Sequence, residues 1–156
     1  MKINILAGAL ALACAGCTPA HQPESQSPKN NAMGTWQLVA KTTYIGDTVK
    51  HDKIEGTRTI KIINDTHFAF LTHEAPIPGD TTKVPPVFVA GGGTYTLRDS
   101  IYTEVLEYCN FREWENHKFT FTLKVKGDSL IQSGEEKVEA ANISQTIVEK
   151  YLRVKP

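Results

Sequence analysis

The sequence lacks an excess of either charge: 17 Lys+Arg face 17 Asp+Glu, with five His. A general nucleic-acid binder needs a basic surplus to neutralise phosphates, so that class is excluded. Cysteine is scarce and odd in number, at three, which argues against a disulfide scaffold. Glycine (11) and proline (8) are too few for a collagenous or mainly low-complexity chain. No run of apolar residues is long enough to remain in a bilayer as a helix, and no long amphipathic helix is evident. The motifs Gly-x-Ser-x-Gly and His-Glu-x-x-His and the phosphate-binding loop are missing. What is present fits one ordinary domain: 156 residues, 40% of them apolar, too many for a largely disordered protein.

The N-terminus reads as an address. Lys2 is followed by a mostly apolar run from Ile3 to Ala15, broken only by Asn4. A charged start, a short apolar stretch and small residues at its end describe a secretory signal peptide. Ala15-Gly16-Cys17 resembles the lipobox of bacterial lipoproteins, departing from it at Cys14, where Leu is usual. The resemblance implies cleavage after residue 16 and lipidation of Cys17; Ala11-Leu12-Ala13-Cys14 is the poorer alternative. It places the protein in a bacterial cell envelope, lipid-anchored to a membrane, with the periplasmic or surface face of the outer membrane left open. Two or more acyl chains anchor stably, at about 0.8 kcal/mol per buried CH₂. Thr18 to Asn31 reads TPAHQPESQSPKNN, the composition of a linker. The expected organisation is therefore signal peptide 1–16, lipidated Cys and flexible linker 17–32, and a domain over 33–156. Cys109 alone remains in that domain, where a small buried hydrophobe is its ordinary role.

From Gly34 the pattern is that of antiparallel strands. A first strand opens at Thr35-Trp36 and extends towards Ile45. Residues 57–63 and 66–72 form a hairpin across Asn64-Asp65. Residues 93–98 and 101–110 form a second one. Lys118 to Val125 alternates cleanly, with Phe119, Phe121, Leu123 and Val125 on one face. A third hairpin crosses Gly127-Asp128 into residues 129–133, residues 134–145 read as irregular, and the last strand covers 146–154. About eight strands in sequential hairpins predict an all-β fold, an eight-stranded antiparallel up-and-down barrel, which leaves no exposed edge.

Gly34-Thr35-Trp36 resembles the Gly-x-Trp signature of lipocalins, and the resemblance implies a basic residue over the Trp, here Arg153. The stretches 61–69, 91–97 and 102–104 resemble, in their order, a lipocalin-like domain of uncharacterised bacterial lipoproteins. That resemblance covers roughly Gly34 to Lys155 and supports a calycin-type fold while naming no chemistry.

The site expected on the barrel's inner surface is Tyr95, Tyr102, Glu104, Tyr108 and His67, joined by Arg58 and Phe121. A Tyr-Glu-Leu-Tyr face gives polar handles in an apolar cavity, the usual make-up of a small-molecule site. An ion pair with Arg58 is the plainer role for Glu104. No catalytic, metal or cofactor role is assigned: His67 and His73 lie about 20 Å apart along one strand, and Glu104 and Glu107 face opposite ways. The irregular stretch 74–92 is long enough for a functional loop, either a lid or a contact for a protein partner. Three functions follow: a membrane-anchored binder of a small, partly apolar ligand; a structural or interaction lipoprotein with a packed barrel; and, more weakly, a cofactor-free enzyme using Glu104 or His67 as base.

Overall fold

A two-residue alternation over successive strands closes the chain on itself. The computed structural model describes residues 30–52, 54–75, 79 and 86–155. Cys14, Cys17 and the rest of 1–29 lie outside the described residues, as do 53, 76–78, 80–85 and 156. Nine strands are present among the described residues: β1 Gly34–Ile45, β2 Thr48–His51, β3 Thr57–Ile63, β4 His67–Glu74, β5 Phe88–Arg98, β6 Ile101–Cys109, β7 His117–Lys126, β8 Ser129–Val138 and β9 Ile143–Arg153. Each of β3 to β8 pairs antiparallel with the next, β1 pairs with β3, and β9 returns to β1. The result is a closed eight-stranded up-and-down barrel, as expected for a lipocalin-like fold. The ninth strand, β2, extends beyond the ring and pairs only with the outer end of β1.

Two segments depart from the sequence expectation. Residues 134–138 are strand, not irregular: β8 pairs with β9 from Ser129↔Leu152 through to Val138↔Ile143. Its inward positions are Leu130, Gln132, Gly134, Glu136 and Val138, and the two polar members disguise the alternation. Likewise Gly91-Gly92-Gly93 belongs to β5 rather than to a loop reaching Gly92. Gly91 stands opposite Phe70, and a Cβ there would fall 2.7 Å from the Phe70 ring. The glycine makes room for an aromatic ring crossing from the neighbouring strand.

One end of the barrel is shut. Trp36, Ile63, Tyr102 and Leu130 are almost wholly buried there. The Arg153 guanidinium sits 4.0 Å from the centre of the Trp36 ring. Its Nη1 and Nη2 donate to the carbonyls of Met33 (2.7 Å) and Asn31 (2.9 Å). The Trp36 indole donates to the Ala32 carbonyl at 2.7 Å, and Asn30 donates to the Tyr95 hydroxyl at 2.9 Å. Asn30, Asn31 and Ala32 thus contribute to the plug that closes the barrel. Gly34 is required beneath Arg153, since its φ is +136° and a Cβ would lie 2.5 Å from Arg153 Nη1.

Arg153→Ala removes one cation–π contact and two charge-assisted hydrogen bonds. The expected loss in denaturant unfolding is about 2–4 kcal/mol. Arg153→Lys recovers only part of it, because an ammonium cannot reproduce the two-pronged contact. Wild-type stability in Arg153→Ala would contradict this role.

Candidate functional site

Above the plug, the inner faces of the strands carry charge. Lys61 on β3 is almost fully buried. Its ammonium donates to Glu104 of β6 and, at 2.6 Å, to the Gln132 side-chain oxygen of β8. It also lies 5.1 Å from the Tyr102 ring centre and 5.3 Å from that of Phe68. A buried ammonium is tolerable only when paired and hydrogen-bonded in this way. A second group stands beside it on β9. Glu149 accepts from Tyr151 at 2.7 Å and pairs with Lys41 at 3.1 Å. Higher still, Glu136 of β8 accepts from Gln145 of β9 at 2.8 Å.

These groups line one cavity of about 650 Å³, within the range of small-molecule sites. Its apolar wall includes Phe70, Leu106, Phe119 and Phe121. At the mouth are Ile54, Val89, Phe111, Trp114 and Ile143. Two 3₁₀ turns, Arg112–Trp114 and Glu139–Ala141, meet across that mouth. The Trp114 and Phe119 rings pack at 5.9 Å, and Phe119 and Phe121 stack at 6.3 Å.

Burial and charge perturb the lumen groups in different directions. Burial pushes the Glu136 carboxyl above its usual range; Glu149 and Glu104 add to this, against Lys41 and the Gln145 bond. Burial pulls Lys41 down, but Glu149, with Glu136 and Asp52 behind it, outweighs that and holds the ammonium above its ordinary value. Burial, with the nearby Glu149 charge, pushes the Tyr151 phenol well up. Tyr102 is raised by burial and by Glu104. Its hydroxyl is buried with no hydrogen-bond partner among the described residues.

Of the seven residues expected to line the lumen, Glu104 and Phe121 line the cavity. Tyr102 lies below it in the packed end, beside Tyr95 at 5.2 Å between ring centres. The Tyr95 hydroxyl is spent on the Asn64 carbonyl at 2.6 Å. Arg58, His67 and Tyr108 are exposed, Tyr108 being 68% accessible. They do not line the cavity. Alternation explains the placement of the two from β3 and β4: Lys61 of β3 and Phe70 of β4 line the cavity, so Arg58 and His67, an odd number of residues away, take the other side. The partner of Glu104 is accordingly Lys61 and not Arg58. Cys109 is a free, buried cysteine at the rim. Lys41, Lys61, Gln132, Glu136, Gln145 and Glu149 carry the polar lumen and escape sequence reasoning. Their signal is alternate-position polarity matched across β8 and β9, with Gln132 opposite Glu149 and Glu136 opposite Gln145.

Among the described residues, no group of three or more His, Cys, Asp or Glu side chains is placed to hold a metal ion. No known family, characterised protein or solved structure matches this chain.

The raised carboxyl of Glu136 has a consequence for stability. A carboxyl raised in the folded state binds its proton more tightly than in the unfolded chain, so its ionisation lowers stability as pH rises through the folded value. Glu136→Gln is therefore expected to melt higher than wild type at pH 8. The gap should close as pH falls towards the unfolded carboxyl value of about 4.3. Thermal melts across this range check it; equal gaps throughout, or a less stable variant at pH 8, would contradict it.

Proposed function

We propose that this chain is a lipid-anchored, lipocalin-like binding protein of a bacterial envelope, holding one small, partly apolar molecule in its lumen. The observation that carries this reading is the cavity: about 650 Å³, aromatic and aliphatic on its walls, charged and hydrogen-bonding at its floor. A barrel serving only as a structural or contact body has no need of such a void, and packed interiors rarely keep one. Buried carboxylates and an ammonium are costly furnishings for a purely structural core, because apolar residues of similar volume usually stabilise at least as well.

The geometry also suits an anchored binder. Asn30 is fastened at the shut end through Tyr95, so a lipidated Cys17 attaches the barrel by its closed base. The twelve residues 18–29 reach at most about 40 Å. The mouth, with its 3₁₀ turns, opens at the opposite end of the barrel from that attachment.

Two measurements test this. Native mass spectrometry of the full-length protein released gently from membranes should show one small molecule per chain. A mass equal to the lipidated polypeptide alone, with no shift against a metabolite panel, would contradict binding. Cys17→Ala should shift the protein from the membrane fraction to the soluble envelope fraction or leave it unprocessed; a fully processed, membrane-bound variant would contradict the anchor.

A further inference from the structure

The lumen is charged unevenly. Among the described residues, Asp52, Glu104, Glu113, Glu136 and Glu149 line it, against Lys41 and Lys61, with no Arg or His. Both lysines are already engaged. Lys61 is enclosed by Glu104 and Gln132, and Lys41 is held by Glu149. Among the described residues, an anionic ligand would find no free cation in the lumen and would have to displace one of these contacts.

The carboxylates are not equally satisfied. Glu104 has Lys61, and Glu149 has Lys41 and Tyr151. Asp52 has Lys50 at 3.0 Å and the Thr43 hydroxyl at 2.7 Å. Glu136 lies part-buried on β8 towards the mouth, and its one hydrogen bond among the described residues is from the neutral Gln145 amide. No ammonium or guanidinium of the described residues lies within 4 Å of it. An ionised carboxylate in a partly desolvated cavity needs a donor of positive charge. The same cavity is lined by Phe70, Phe119, Phe121 and Trp114, aromatic faces of the kind that attract a cation and pack well against a ring.

We propose that the lumen selects a small molecule carrying a primary ammonium on an apolar, ring-sized body, with Glu136 as its counter-charge. Gln145 holds the Glu136 carboxylate in place, and its own side-chain oxygen is a second acceptor for the ammonium. The aromatic wall takes the body of the ligand. The raised carboxyl value of Glu136 accords with a site that is completed by a cation. This inference rests on the binding reading above and sharpens it to a ligand class.

The experiment is calorimetric titration of the full-length chain in lipid nanodiscs at pH 7.5. Three probes of one shape are compared, phenethylamine, phenethyl alcohol and phenylacetate, with naphthalene as a neutral filler. The amine is expected to bind at least about tenfold more tightly than the alcohol, and phenylacetate weakest of all. Glu136→Gln should abolish the preference, bringing the amine to about the alcohol's affinity in the same variant, with the fold of the variant checked by circular dichroism. Equal affinity for amine and alcohol, tighter binding of phenylacetate, or an amine preference that survives Glu136→Gln would overturn the proposal. Binding of naphthalene alone would overturn the charge selectivity and leave the cavity reading standing. Silence from all four would overturn both.

Discussion

The buried ammonium of Lys61 is the constraint on which the interior depends. Left unpaired it would be a costly buried charge. Its partners, Glu104 and Gln132, come from β6 and β8, neither of which neighbours β3 in the sheet. The contact therefore spans the lumen and ties three separate walls together at one height. Below it, Trp36, Ile63, Tyr102 and Leu130 pack solidly under the plug of Asn30 to Met33. Above it, the barrel is hollow. The ion pair is the floor between the two regions.

The hollow follows from what stands on that floor. Lys41, Glu149 and Glu136 occupy inward positions that apolar side chains would otherwise fill. Charged groups do not interdigitate as Leu or Phe do; they require room for partners. Where the walls are apolar, Phe119 and Phe121 stack upon one another and line the space. The same residues thus forgo the stability of close packing and leave a volume shaped for one small molecule. This is the familiar opposition of stability and function, located here in a few inward-facing polar positions.

The fold was far more legible in the sequence than the lumen. Strands whose inner face is apolar announce themselves: β7, with Phe119, Phe121, Leu123 and Val125, was expected at 118–125 and occupies 117–126. Gly34, Trp36 and Arg153 were expected together and meet at 4.0 Å between guanidinium and ring. Alternation shows which residues share a face, but it does not say which face is inside. On β3 the reversal is complete: Lys61 and Thr59 line the cavity while Ile62 is exposed. On β6, Glu104 faces the cavity, but Tyr108 turns outward because the β5–β6 pairing carries a bulge at Gly92/Gly93, and register counted from sequence cannot see it. Glu136 went unmarked because Gln132 and Gly134 before it break the apolar rhythm. A polar lumen erases the very signal by which strands are read.

The floor can be tested directly by a double-mutant cycle on Lys61→Met and Glu104→Leu, read by denaturant unfolding of the full-length chain. Removing either partner alone strands the other as a buried charge, and each single variant should lose about 3–5 kcal/mol. Removing both should cost much less than the sum, because neither charge is left behind. Single-variant losses that simply add in the double variant would contradict the claim that Lys61 and Glu104 form one coupled, buried foundation for the lumen.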